Sequence, residues 1–222
     1  MKKEIKLVVP TDWSAIKLSK YLALRKDMES YSDNEEAIFA CLLHHLCEFP
    51  VEYIEQMDID TYIGIKKDVT KFFNKIDLPL HRFIKIDGVE YGFEPNLSNM
   101  AYGAYVDISK YETIGIDDKW AEIMSILYRP VTQKMGALYD IKTYNGNIDK
   151  ELFMDVPMDV HFGALFFLIN LQADLLKGIP KSLTESMELP RSIQLILERS
   201  GNHTHLWSNY HKEILPKSMQ SL

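Results

Sequence analysis

The segment from Phe83 to Phe93 constrains the fold of this chain more than any other stretch. It reads Phe-Ile-Lys-Ile, then Asp87-Gly88, then Val-Glu-Tyr-Gly-Phe. An Asp-Gly pair between two β-favouring runs predicts a two-residue hairpin with a type I′ turn, whose central residues both need positive φ. The turn also sets the register, with Ile86 opposite Val89, Lys85 opposite Glu90 and Ile84 opposite Tyr91. One face is then apolar and the other carries an opposite-charge pair.

Around this hairpin the chain reads as helix. Trp13 to Met28 follows the break at Pro10, has Thr11 or Asp12 as N-cap, and carries a stripe of Ala15, Leu18, Tyr21 and Leu22. Ser32 to Glu35 has the capping-box pattern and opens a helix with Ile38, Phe39, Leu42, Leu46 and Phe49 on one face, closed by Pro50. A third helix is predicted from Asp60 to Ile76. A short fourth helix after Asp117 aligns Trp120, Ile123, Met124 and Leu127, and Tyr128-Arg129-Pro130 ends it abruptly. Leu138 to Tyr144 alternates as a strand, with Asn145-Gly146 as its turn. Pro157 suits the first turn of a helix running to about Lys177, apolar on two sides and therefore central to the core. A last helix spans Leu189 to Arg199, with Gly201 as its C-cap. The expected fold is α+β and mainly α-helical: a helical core with a small antiparallel sheet. Residues 1–182 form a single domain and 183–222 a C-terminal helix with a polar-aromatic tail.

Composition removes several classes of function. At 222 residues the chain buries enough surface to hold a core without a disulfide or metal. Its net charge of -7 has the wrong sign for binding nucleic acid through its own field, so no direct sequence-specific nucleic-acid binding is expected. The longest apolar run, Phe162 to Ile169, falls well short of the ~18 residues a membrane span requires. The apolar stretch near Met1 is also too short for a signal peptide, and two cysteines in one helix suit a reducing compartment or a disulfide-free particle rather than a secreted stapled domain.

No catalytic motif of known mechanics is present: no P-loop, no G-x-G-x-x-G and no G-x-S-x-G elbow. The cluster Cys41, His44, His45 and Cys47 has zinc-type ligands. One helix, however, turns ~100° per residue and cannot aim all four at one tetrahedral ion. Buried thiols with boundary histidines are the expected arrangement, and His203, His205 and His211 have no cysteine partner nearby. No cofactor, metal or catalytic residue is expected. A small cytosolic Cys/His enzyme that borrows ligands from distant residues stands as the alternative.

Charge is arranged unevenly. Between Lys26 and Lys66 there are ten acids and no Lys or Arg, after which Lys66, Lys67, Lys71, Lys75, Arg82 and Lys85 follow against only Asp68 and Asp77. Such segregation either solvates two helix faces or registers one subunit against another. The chain also carries 12 Tyr, 10 Phe and 3 Trp, residue types enriched at interface centres. Candidate interface anchors are Trp13, Trp120, Tyr128, Arg129, Trp207 and Tyr210. Trp13 and Trp120 also suit a core, and Arg129 a carboxylate or helix C-terminus.

Pro10, Trp13, Ile16, Leu18 and Tyr21 have the spacing Pro-x-x-Trp-x-x-Ile-x-Leu-x-x-Tyr. This opening resembles the start of small virion or tail-assembly proteins of tailed bacteriophages. Trp120 to Pro130 resembles a stretch of the same kind of protein from gut phages, including crAss-like phages. Ile86 to Phe93 and Tyr105 to Ile108 keep the same order of elements, so the likeness spans about residues 5–175. It implies a non-enzymatic structural or assembly component of the virion. Such a protein acts as a head–tail connector, a ring or a tail-assembly factor. Portal, ring or tail components would be its partners, together with copies of itself in a homo-oligomer. Its place would be the virion, and the host cytoplasm during assembly. A cargo protein ejected with the genome is a further alternative.

Overall fold

In a computed structural model, residues 7–31, 34–73, 78–111 and 115–177 are described, the side chains of 172–177 excepted. The predicted C-terminal helix, Trp207 and Tyr210 lie outside these residues.

The chain does not begin with one continuous helix. Trp13–Ala15 is a 3-10 turn, capped where Asp12 accepts from the Ser14 N–H at 3.0 Å. Ile16 and Lys17 are extended, and α1 runs from Leu18 to Ser30. The interruption is tertiary: Leu18 N–H donates to Val156 O at 3.1 Å, and Met158 N–H donates to Ile16 O at 2.7 Å. This short bridge ties the N-terminal segment to the start of a helix about 140 residues later.

Helix α2, Glu35–Cys47, lies against α1. Its cap is Asn34, whose side chain accepts from the Ala37 N–H at 3.0 Å; the sequence reading placed the cap at Ser32. Asparagine two residues closer to the helix meets the same orphan N–H groups. Glu48 closes α2 in the left-handed region, at φ 53°, and Phe49 N–H returns to Leu43 O at 3.1 Å. Pro50 leads into a 3-10 segment, Val51–Gln56, and then α3, Ile59–Phe73. Asp58 caps α3 through the N–H and hydroxyl of Thr61, contacts that also hold its carboxyl below the usual range.

The hairpin forms in the expected register. β1, Phe83–Ile86, pairs with β2, Val89–Phe93, about Asp87 (φ 49°) and Gly88 (φ 81°). Glu90 faces Lys85, but its ion pair at 2.9 Å is with Lys134 of the neighbouring strand, whose Nζ sits 3.6 Å above the Phe83 ring. After α4, Tyr102–Ser109, and α5, Trp120–Leu127, the backbone passes straight into β3, Tyr128–Met135. The helix ends within the run Ile126 to Pro130 as the sequence predicts, but Pro130 itself is the third residue of the strand that follows. Pro130 has no N–H to give, and β3 accommodates it beside a register break between Val131 and Gln133. Its carbonyl still accepts from Lys142 N–H at 2.8 Å. The predicted strand from Leu138 to Tyr144 shortens to β4, Leu138–Ile141, joined to β3 at Gly136 (φ 61°). Asn145-Gly146 makes a turn further on, outside the sheet, which is antiparallel in the order β1-β2-β3-β4.

The short α6, Lys150–Met154, leads to α7, Met158–Lys177, which carries the centre of the core. Trp13 packs against Phe162 of α7 at 4.9 Å, Phe72 at 4.4 Å and Phe73 at 5.3 Å between ring centroids. On the sheet side Phe93 meets Tyr128 at 5.2 Å and Phe167 at 5.5 Å. Helix α7 can approach the loop at Pro79 only because residue 163 is glycine: a Cβ there would lie 2.3 Å from Pro79 O.

His161 is fully buried and joins three helices. Trp120 Nε1–H of α5 donates to its Nδ1 at 3.1 Å. An indole only donates, so the imidazole proton sits on Nε2, which donates to Phe153 O of α6 at 3.1 Å. Burial pushes the imidazole pKa down to about 3, against weaker opposing effects of hydrogen bonds to Phe153 and Val156.

Candidate interaction surfaces

Three expected anchors are core residues. Trp13, Trp120 and Tyr128 are all fully buried, so none of them reaches a partner surface. The opening motif is buried throughout from Trp13 onward: Ile16, Leu18 and Tyr21 fill the same core. Its spacing therefore encodes packing rather than recognition. Tyr128 keeps its hydroxyl satisfied by donating to His81 O at 2.6 Å.

Arg129 is also committed internally. It lies two residues beyond α5, and its guanidinium turns back to donate to Ile126 O at 2.9 Å, one of the open carbonyls at the helix end. Its second arm pairs with Glu94, which follows β2; the two side chains are 12% and 8% exposed. The guanidinium lies 5.9 Å from the centre of the Tyr144 ring, and the Tyr144 hydroxyl donates to Asp107 Oδ2 at 2.5 Å. Burial, then the Asp107 hydrogen bond, pushes the Tyr144 phenol up to about 12. Lys110 first, and Tyr144 second, hold the Asp107 carboxyl below its ordinary range. The chain of contacts thus clasps α4, the end of α5 and the sheet together. Beside it Arg129, Lys142, Tyr144, Asn147 and Asp149 border a polar slot of about 170 Å³.

The Cys/His cluster of α2 does not converge. His45 Nε2 is 2.7 Å from Asp27 of α1, while His44 is exposed. Burial raises the Cys41 thiol, and pushes Cys47 up to about 11. Such thiols are protonated at neutral pH and are poor nucleophiles. Among the described residues no group of three or more His, Cys, Asp or Glu side chains could hold a metal ion. Likewise no helix among them is long and apolar enough to cross a membrane.

The exposed large apolar side chains lie elsewhere: Val8, Tyr31, Val51 and Val89 singly, the others in pairs. Met135 and Leu138 face each other across the β3–β4 turn, 79% and 74% exposed. Below that tip a cleft of about 480 Å³ is lined by Leu80, Phe93, Leu97, Phe167 and Leu171. Ile59 and Ile63, one turn apart on α3, are 67% and 55% exposed. A second cleft, of about 410 Å³, has Ala37, Ala40, Val51, Ile54 and, from α3, Tyr62 in its walls, with Glu36 and Glu55 also lining it. Tyr102 and Tyr105 form a third exposed pair on α4. Aromatic content pointed to the core tryptophans instead of these positions. The readable signals were Ile63 beside Gly64 on a helix whose core face lies elsewhere, and apolar residues flanking Gly136-Ala137 in a turn. The chain matches no known family model, no curated protein and no solved structure.

Proposed function

We propose that this chain is a non-enzymatic assembly component of a tailed-phage particle, acting by docking to copies of itself and to other virion proteins. The observation that carries the docking role is the paired exposure of large apolar side chains at the β3–β4 tip, on α3 and on α4. Scattered single apolar residues on a surface are ordinary, but neighbouring pairs, one of them at the edge of a cleft, favour contact with protein. The virion setting rests on the resemblance of the opening segment and of Trp120 to Pro130 to small phage virion proteins.

Quantitative mass spectrometry of purified particles tests the proposal. The expected result is a fixed copy number per particle, retained after the DNA is expelled. The β3–β4 tip variant Met135→Lys with Leu138→Lys should fold but fail to incorporate. Absence of the chain from particles would overturn the virion role. Loss together with the DNA would mark it as ejected cargo.

A further inference from the structure

We infer that the exposed face of α3 seats a second copy of this chain, packed antiparallel about a two-fold axis near Ile63 and Gly64. The inference deepens the docking role above by naming one partner and the surface it occupies. At ~100° per residue, Ile59, Asp60, Ile63, Gly64, Lys67 and Lys71 fall within an arc of about 140°. All six are exposed, while Val69, Phe72 and Phe73 bury the other side of the helix and Thr70, near the Ile59 edge of the arc one turn or more beyond Ile63, is covered by the fold. This face is apolar toward its N-terminal end and basic toward its C-terminal end.

Such a face is complementary to itself when reversed. With the axis between positions 63 and 64, Asp60 comes opposite the partner's Lys67, and Ile63 opposite the partner's Gly64. A contact of this kind is isologous, so each pairing occurs twice. Gly64 supplies the notch: nothing lies within 4 Å of where its Cβ would be, so a facing Ile63 can bring the two backbones close. Among the described residues Asp60 and Lys67 enter no salt bridge, whereas Lys71 pairs with Asp68 of its own helix at 3.3 Å. The acid-before-lysine order along α3, Asp60 ahead of Lys67, thus becomes charge complementarity across the axis. The parallel arrangement would set Asp60 against Asp60 and Lys67 against Lys67, and is disfavoured. One helix pair plus the flanking 3-10 segments reaches only the low end of stable interfaces, ~1,200 Å², so a micromolar dimer is expected.

The test uses the full chain in sedimentation equilibrium over a range of concentrations, with circular dichroism melts to verify folding. The wild type should dimerise, more weakly as salt is raised. Asp60→Lys and Lys67→Asp should each weaken dimerisation at least tenfold without changing the melt, because like charges then face each other twice. Mixed one to one, the two variants should form a heterodimer, since every facing pair becomes opposite in sign. Gly64→Leu should block both homodimer and heterodimer. A wild type monomeric up to about 100 μM would overturn the inference, as would a dimer untouched by Asp60→Lys. A dimer that forms in solution while the chain is absent from particles upholds this interface and sinks the virion role. A chain found in particles but monomeric does the reverse.

Discussion

Replacing His161 with glutamine should flatten the acid side of the stability profile. In the unfolded chain an imidazole titrates near 6.5. In the fold, burial between Trp120 and Phe153 pushes it down to about 3. Between those values the unfolded state binds a proton that the folded state refuses, so stability is full above about pH 6.5 and falls as pH drops toward 3. Each pH unit in that window is worth about 1.4 kcal/mol, so at pH 4.5 the cost is about 2.7 kcal/mol. His161→Gln keeps an acceptor for the Trp120 indole N–H and a donor for Phe153 O, but cannot titrate. The assay is urea unfolding from pH 7.5 to 4.5 on both proteins. The variant should be less stable at pH 7.5 by about 1–2 kcal/mol, because the amide fills the ring's space imperfectly. That deficit should vanish or reverse by pH 4.5. Carboxylates titrate in both proteins and cancel in the difference. Parallel profiles would refute the assignment of a neutral, unprotonatable His161.

Three further outcomes follow from the packing. Gly163→Ala would press a methyl group into the Pro79 carbonyl at 2.3 Å, and should cost more than about 3 kcal/mol in thermal unfolding; a normal melt would show that the Pro79 loop yields. Glu94→Gln leaves the Arg129 charge buried without its counter-ion and should destabilise by about 3–5 kcal/mol, which chemical denaturation would read directly. Glu48→Gly relieves a non-glycine residue at φ 53° at the end of α2 and should stabilise by about 1 kcal/mol, raising Tm by a few degrees despite losing the exposed Lys20 ion pair.

The hairpin, the amphipathic helices and the mainly helical α+β class were legible in the residues alone. The reason is range: Asp87-Gly88 and its flanking alternation settle turn, strands and register within 11 residues. Helices α2 and α7 carry their own stripes and breakers in the same way. What the tertiary structure decided lies where distant segments compete with local preference. The helix expected from Trp13 breaks at Ile16 and Lys17 because the flanking Ile16 carbonyl and Leu18 N–H serve Met158 and Val156. Tyr128 to Met135 becomes a strand, despite Pro130, because β2 and β4 supply neighbours on both sides. Arg129 is turned inward by Glu94 and by the end of α5, a pairing 35 residues apart that no local pattern encodes. Trp13 and Trp120, offered as contacts by composition, went to the core, where an aromatic ring removes most surface from water. Ile59, Ile63, Met135 and Leu138 were left outside, because which apolar residues stay exposed depends on what the rest of the fold comes to cover.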